Sequence, residues 1–374
     1  MQVRNFQANR FLRDCWQKKP LLIRNMWTSW SNPLEPDELA GLACEDGVEA
    51  RIIMQASGTL AVEYGPFVET RFDKLGHEPW TLLVNAVDHH VPDVSALLNS
   101  FRFIPNWRID DVMVSYAVDQ GGVGPHFDQY DVFLVQGLGR RRWQVGAPCD
   151  DATELLPHDD LRLLANFEPT QEWVLEPGDV LYVPPGVAHN GIAIGEDCMT
   201  YSIGFRSPAY QELGEAFLQF MSDTIDLPGR YADPDLKPTT HPAQIDAAML
   251  ENVGEQLRKI RFTDDDIAIF LGEYLSEPKA AVMFDPPARP LTAARFALSA
   301  AKRGVILSLK TQMLYRGRHV FINGESFGVE KADRVVLAAL ADRRSLEPAE
   351  LAGLSDDVAE ALHLWYCDGW LMLS

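Results

Sequence analysis

Two histidines and an aspartate stand in a pattern typical of a metal site. His126 and Asp128 are two residues apart in GPHFDQYDVF, which has the composition of a strand. Side chains two apart on a strand share a face, so an imidazole and a carboxylate converge. His189 follows about 60 residues later, after EPGDVLYVPPG, where we predict a tight turn, a buried strand and a loop. This H-x-D…H spacing is the sequence form of the two-His-one-carboxylate triad, which leaves three positions open on an octahedral Fe(II).

The open positions favour iron over zinc. Oxygen activation needs two positions for a chelating co-substrate and one for O₂. An isolated H-x-D would ordinarily be a turn histidine and a solvated acid, but the turn, strand and loop before His189 place that residue at the mouth of a barrel. We therefore predict that His126, Asp128 and His189 are the metal ligands and the catalytic centre.

A cation for a dicarboxylate co-substrate is available in GRRRW. Arg140, Arg141 and Arg142 follow a predicted turn at Gly137 to Gly139. Strand alternation sends Arg141 to one face and its two neighbours to the other. A single inward guanidinium would bind the distal carboxylate of 2-oxoglutarate through two hydrogen bonds. A solvated basic turn is the alternative interpretation.

Short strands are the elements that must position these residues. From Cys15 to about Ser207, strands punctuated by Pro and Gly predict an all-β sandwich or barrel. Two segments, TLLVNAVDHHVPDVSALLNSF and LPHDDLRLLANF, have helical apolar spacing and are predicted to pack outside the β layers. The predicted strands are PLLIRN, ARIIMQ, LAVEYG, DVMVSYAVD, YDVFLVQGLGRRRWQVG, EWVLEPGDVLYVPPG and CMTYSIGF.

Helical periodicity begins after Ser207. AYQELGEAFLQFMSDTI and AQIDAAMLENVGEQLRKIRF carry i, i+3, i+4 apolar repeats on either side of a Pro-rich stretch. From about Thr263 onward, helices flank a short hairpin. We therefore predict a β-rich catalytic domain over 1–207, a helical region over 208–262 and a small α+β domain of the winged-helix type over 263–374.

Composition narrows the partners and the compartment. The 374 residues include 33 Lys and Arg against 54 Asp and Glu, a net charge of −21, so the chain repels phosphate backbones and suits a basic protein better than nucleic acid. The five cysteines show no C-x-x-C spacing, which favours a reducing compartment. Without a signal-peptide core or a membrane-length apolar run, we expect a soluble, cytoplasmic protein with no membrane partner.

These motifs resemble those of the JmjC-type 2-oxoglutarate- and Fe(II)-dependent oxygenases, and among them the bacterial ribosomal oxygenases of the YcfD, or RoxA, type. The resemblance runs from DCWQKKPLLIRN through GPHFDQYDVFLVQGLGRRRW to the C-terminus. It implies an α+β chain with a double-stranded β-helix (jelly-roll, cupin) domain, a helical dimerisation segment and a winged-helix-like domain. It also implies that His126, Asp128 and His189 hold Fe(II), that Arg141 anchors the C5 carboxylate of 2-oxoglutarate, and that O₂ is the other co-substrate.

The resemblance implies a substrate as well. Bacterial members hydroxylate the β-carbon of an arginine in large-subunit ribosomal protein L-sixteen, giving succinate and CO₂ as co-products. Ser115, on the strand that enters the site, is a candidate for a second hydrogen bond to the co-substrate. Asp119, just before the Gly121–Gly122 loop, is a candidate partner for the substrate guanidinium. In this group the central helices form a homodimer interface.

Other functions stay open at this stage. A small-molecule cupin isomerase or dioxygenase would have no need of Arg141, and a dimeric nucleic-acid-binding regulator would show salt-dependent DNA binding. A JmjC demethylase would release formaldehyde from methylated peptides. Eukaryotic relatives hydroxylate histidine in other ribosomal proteins, and arginine and histidine hydroxylases would share every iron and co-substrate ligand.

Overall fold

Strands up to Phe205 pair into one antiparallel sheet that wraps into a jelly roll. The computed structural model describes residues 2–56, 59–76 and 78–374. The strand order is β1-β8-β6-β9-β5-β4-β2-β3, and β7 pairs with β6 beside that path. The strands are β1 (Leu21–Ile23), β2 (Ala50–Ala56), β3 (Thr59–Tyr64), β4 (Trp80–Val84), β5 (Ile109–Ala117), β6 (Asp131–Pro148), β7 (Gln171–Leu175), β8 (Val180–Val183) and β9 (Val187–Phe205).

Two long strands, β6 and β9, run through both halves of the jelly roll. The first part of β6 pairs with β8 and the second part with β7, while the second part of β9 pairs with β5. The predicted turn at Gly137–Gly139 is wrong, because the chain continues there as a bulged strand. Gly139 takes a φ of 61°, and a Cβ at Gly137 would collide with the Tyr201 ring. The glycines therefore bend the strand without ending it.

Aromatic packing fixes the N-terminal helix on the sheet. Helix α1 (Ala8–Asp14) buries Phe11, whose ring centroid lies 5.3 Å from that of Phe133 and 4.7 Å from that of Tyr182. Two more short helices, α2 (Pro36–Leu42) and α3 (Pro92–Ser95), cover the same core. Burial of these large side chains supplies most of the stabilisation on this face.

The two inserts predicted to be helical differ from the prediction in the structure. In the first, TLLV forms the buried strand β4, and only the following residues make short helical turns. In the second, residues 156–167 contain no helix, because the His158 ring organises the loop. Its Nδ1 accepts the backbone N–H groups of Asp160 and Leu161, and its Nε2 donates to the Leu60 carbonyl. Such local side-chain bonds replace the helical ones, and the buried Leu164 packs with Phe127 and Ala188.

The remaining helices follow the predicted periodicity. Helix α6 begins at a capping box between Thr263 and Asp266, and the C-terminal part has its own core, built around buried Phe296, Leu340 and Trp365. The helices are α4 (Tyr210–Thr224), α5 (Ala247–Leu257), α6 (Asp264–Ser276), α7 (Ala293–Arg303), α8 (Lys331–Arg343) and α9 (Asp356–Cys367). The strands are β10 (Val305–Leu307), β11 (Met313–Arg316), β12 (His319–Ile322), β13 (Glu325–Gly328), β14 (Ser345–Leu346) and β15 (Leu371–Leu373).

Two further expectations concern thiols and membranes. All five cysteines are free. Within the described ranges, none of the helices has the length and apolar character that a bilayer span requires.

Candidate active site

His126, Asp128 and His189 meet at one end of the jelly roll. Their possible ligand atoms all lie within 4.8 Å of one another. Nε2 of His189 is 3.6 Å from Oδ2 of Asp128, and Nε2 of His126 is 3.8 Å from the same oxygen. Two imidazoles and a carboxylate therefore face a common point, with the donor set that a non-haem Fe(II) site uses.

A backbone bridge, not a regular strand, produces this convergence. His126 and His189 exchange both backbone hydrogen bonds, at 3.0 and 2.8 Å, while Asp128 lies in an irregular stretch before β6. The predicted strand over His126 and Asp128 is therefore wrong. Pro125 has no N–H to continue a ladder, and the Asp128 carbonyl is held by the Gly186 N–H at 2.7 Å.

Each imidazole is oriented by a backbone carbonyl two residues earlier in the chain. Nδ1 of His126 lies 2.9 Å from the Gly124 carbonyl, and Nδ1 of His189 lies 2.9 Å from the Val187 carbonyl. Each Nδ1 must donate, so each Nε2 presents a lone pair to the site. Burial, reinforced by the neighbouring His126, lowers the pKa of His189 to about 4. The ring is therefore neutral at pH 7, as metal ligation requires.

Arg141 is the inward member of the arginine trio. It is 3% exposed on β6, whereas Arg140 is exposed and Arg142 is half-buried. Its Nε donates to Sγ of Cys198 at 3.4 Å, and its guanidinium carbon lies 5.8 Å from the ring centroid of Trp143. Nη2 has no hydrogen-bond partner among the described residues. Because an unpaired buried donor is costly, this guanidinium fits an anionic ligand such as a carboxylate.

Inward-facing residues of the paired strands β6 and β9 lead from the Arg141 guanidinium to the metal-ligand cluster. Arg141 lies opposite Ala193 in the β6–β9 register, and four pairs further along Val145 lies opposite His189. The Arg141 and His189 levels are thus about 13 Å apart along the strand, a gap that an arginine side chain and a short dicarboxylate can bridge. Between them the Trp143 ring lies 5.9 Å from the His189 ring.

The other two candidate residues, Ser115 and Asp119, have different surroundings. Ser115 is buried on β5, and its hydroxyl donates to the Thr200 carbonyl at 3.4 Å. Asp119 is exposed, and its Oδ1 accepts the Gly195 N–H at 2.7 Å and the Gln120 amide at 3.2 Å. Within the described residues, neither side chain forms a hydrogen bond with the three clustered groups.

A cavity of about 820 Å³ opens beside the cluster. Its lining includes Pro125 and Asn190, the immediate neighbours of His126 and His189, together with Gln120, Glu78 and His158. The loop that His158 organises forms one wall. None of the three clustered side chains lines this cavity.

The sequence did not predict the buried side chains that position the Arg141 guanidinium. Cys198 accepts hydrogen bonds from Arg141 and from the Gln136 amide, the latter at 3.5 Å, and the Gln136 amide oxygen accepts the Thr200 hydroxyl at 3.3 Å. All four side chains are buried. Local periodicity carries no signal for them, because they meet only through the pairing of β6 with β9.

Comparisons with known proteins agree with this architecture. Residues 96–213 match the JmjC domain family, and residues 256–372 match the ROXA-like winged helix family. The chain is 37% identical to the ribosomal protein uL16 3-hydroxylase of Escherichia coli (strain K12), over 93% of this chain and 92% of that relative. The chain belongs to the JmjC ribosomal oxygenases.

One further relative and one solved structure extend the likeness of this ribosomal oxygenase along its whole length. A probable ribosomal oxygenase of Haemophilus influenzae is 33% identical over 97% of this chain and 95% of its own. The structure of E. coli YcfD in complex with cobalt and 2-oxoglutarate superposes with a TM-score of 0.85 at 34% identity, covering 100% of this chain and 99% of that one. The predicted jelly-roll domain followed by a winged helix is confirmed.

Proposed function

We propose that this ribosomal oxygenase hydroxylates the β-carbon of an arginine in ribosomal protein L-sixteen (uL16), using Fe(II), 2-oxoglutarate and O₂ and releasing succinate and CO₂. One observation carries the proposal: a His-Asp-His cluster shares the jelly-roll interior with a buried guanidinium that lacks an anionic partner among the described residues. The uL16 3-hydroxylase activity of the E. coli relative and the cobalt and 2-oxoglutarate bound by YcfD support it.

In this proposal His126, Asp128 and His189 hold the iron, which when bound supplies the oxidising chemistry. Arg141 binds the distal carboxylate of 2-oxoglutarate and so orients its keto-acid end toward the cluster. Trp143, packed between Arg141 and His189, excludes water from the space between them. The two Nδ1 contacts keep both imidazoles in the tautomer that binds metal.

The substrate would enter through the 820 Å³ cavity. We propose that Asp119 pairs with the substrate guanidinium at the rim, since the Gly195 N–H fixes its carboxylate there. The net charge of −21 speeds encounter with a basic ribosomal protein. Ser115 is proposed as a donor to the co-substrate, in line with its place on the interior strand β5.

The domain division and the assembly also remain proposals: 1–207 as catalytic domain, 208–262 as homodimerisation region and 263–374 as winged helix, in a cytoplasmic protein. Support comes from large apolar side chains left exposed on α4 and α5, such as Leu218 and Leu250. Leu218→Glu is expected to halve the molar mass measured by light scattering. An unchanged mass would place the interface elsewhere.

The test is mass spectrometry of a uL16 peptide incubated with enzyme, Fe(II), 2-oxoglutarate and O₂. We expect a gain of one oxygen atom on an arginine, lost in His126→Ala and in Arg141→Met. Arg140→Met is the matched control, since this neighbour is exposed and should retain activity.

The outcomes separate the alternatives. Oxygen on a histidine of another ribosomal protein would favour the histidine hydroxylase. A normal reaction in Arg141→Met would contradict the assignment of Arg141 to the co-substrate. Absence of 2-oxoglutarate turnover in the unaltered enzyme would favour a small-molecule cupin dioxygenase.

A further inference from the structure

A groove with apolar side chains lies between strand β13 and helix α9 of the winged-helix domain. Its volume is about 300 Å³, and Phe327, Leu364 and Trp365 belong to its lining. The Phe327 ring packs edge-on against the Trp365 ring at a centroid distance of 5.7 Å, and Leu364 is 53% exposed. Apolar side chains gathered in a concave surface indicate a binding groove, whereas single scattered ones do not.

Four carboxylates surround these apolar side chains. Glu325 comes from β13, and Asp357, Glu360 and Asp368 come from α9 and its C-cap. Within the part of the chain that the structure describes, none of the four forms a salt bridge, since the ion pairs of the C-terminal part join other residues. Carboxylates without counterions attract a basic ligand and repel phosphate groups, which excludes nucleic acid as the occupant.

The backbone of β13 is an independent indication that the ligand is a peptide. This strand is at the edge of the sheet β11-β12-β13. The Val329 N–H donates to the Arg318 carbonyl across the pair of strands. Because hydrogen-bonded pairs alternate along antiparallel strands, the backbone groups of Ser326 and Gly328 point away from β12. Edge strands with outward N–H and C=O groups bind extended peptides as an added strand.

We propose that this groove binds an extended basic segment of the ribosomal protein substrate, distinct from the arginine that is hydroxylated. The backbone of the segment pairs with β13, and every second side chain then points to the face that carries Glu325 and Phe327. Lys or Arg side chains at those positions meet the carboxylates, and their aliphatic stems cover Leu364. The inference rests on the proposed function and deepens it, because it gives the C-terminal domain a part in substrate selection.

The experiment compares hydroxylation of full-length uL16 with that of a short uL16 peptide, which carries the target arginine and little else. Asp357→Lys reverses one charge of the groove. It should raise KM for full-length uL16 about fivefold and leave kcat unchanged, because the lost contact binds substrate and transition state equally. KM for the short peptide should stay within about twofold of the unaltered value. The fivefold effect should shrink at about 0.5 M salt, where exposed charges are screened.

A neighbouring acid provides the matched control. Asp356 is exposed in the same first turn of α9 but does not line the groove, so Asp356→Lys makes the same change of charge at the same helix end. It should leave both KM values within about twofold. Leu364→Ala tests the apolar contact at an exposed position where folding is not at risk, and it should raise KM for full-length uL16 alone.

The other outcomes each contradict the proposal. Equal KM values for Asp357→Lys and Asp356→Lys, with full activity of the unaltered enzyme, would show that only the role of the groove is wrong. A loss on both substrates would place the effect at the fold or the active centre. A changed molar mass of Asp357→Lys by light scattering would assign the groove to contacts between copies of the chain. If the unaltered enzyme oxidises neither substrate, the proposed function fails and the docking role fails with it.

Discussion

Arg108, which is half-buried just before β5, and the buried Arg141 should respond in opposite ways to the same substitution. Arg108 donates to Oδ2 of Asp131 at 2.8 Å, and Asp131 is fully buried. Arg141 has no carboxylate within ion-pair distance among the described residues. Methionine is close in length to arginine and apolar, so Arg108→Met breaks a buried ion pair while Arg141→Met removes an unpaired buried charge.

The expected magnitudes follow from these surroundings. Breaking the pair leaves the buried Asp131 carboxylate without a cation, with the Tyr182 hydroxyl and the Gln17 amide as its remaining side-chain donors. This change should lower the free energy of unfolding by about 3–5 kcal/mol. Replacing the lone guanidinium should raise it by about 1–4 kcal/mol, as when buried charges give way to apolar side chains of similar volume. At about 2–4 °C per kcal/mol for a unit of this size, Arg108→Met should melt at least about 6 °C lower and Arg141→Met at least about 2 °C higher.

The assay is thermal denaturation of the metal-free proteins, repeated with Mn(II) and saturating 2-oxoglutarate. A ligand at a hundred times its dissociation constant should add about 2.7 kcal/mol to the unaltered protein. The same ligand should add almost nothing to Arg141→Met. If Arg141→Met melts as low as Arg108→Met without ligand, the guanidinium has a structural partner and our reasoning about its vacant donor is refuted.

Two other predictions concern pH and packing. Burial raises the pKa of Asp88 from 3.8 to about 7, so the free energy of unfolding should fall by up to about 4 kcal/mol as pH rises from about 4 to 7. Denaturant titrations should show that Asp88→Asn flattens this dependence, and an unchanged slope would contradict the assignment. A Cβ at Gly191 would lie 2.7 Å from the Trp143 ring, so Gly191→Ala should cost about 1–3 kcal/mol and weaken 2-oxoglutarate binding by calorimetry. Gly214→Ala, which meets nothing within 4 Å, is its control; equal binding by both variants would argue against the packing role.

Sequence predicted the site best where the chain is locally regular. Alternation along β6 correctly indicated that Arg141 points inward, because the strand is continuous from that residue to Trp143 and beyond. The spacing of His126, Asp128 and His189 predicted that they converge, although a bridge to β9 brings them together instead of a strand. Residue type and spacing were sufficient for these predictions because residues close in the sequence fix the directions of these side chains.

Features that depend on pairing between distant segments of the chain could not be predicted from the sequence. Thr81 lies in a segment with helical apolar spacing, yet pairing with β2 and β5 makes it a strand. The contact of Cys198 with Arg141 joins residues far apart in the chain, and no local pattern encodes it. The loop at 156–167 lost its predicted helix to the hydrogen bonds of one imidazole, His158.

The continuity of β6 and β9 has a consequence for how the protein loses function. The hydrogen-bonded ladder between these strands includes the pair that contains Arg141 and the pair that contains His189. It runs from the pair Asp131–Phe205 to the pair Pro148–Val187. Such central ladders open only with the whole domain, so their amide hydrogens should exchange at the rate of global unfolding. A form in which only the C-terminal core has unfolded would keep this ladder. In rising denaturant, activity should therefore disappear together with the jelly roll, so that catalysis reports on the folding of this domain.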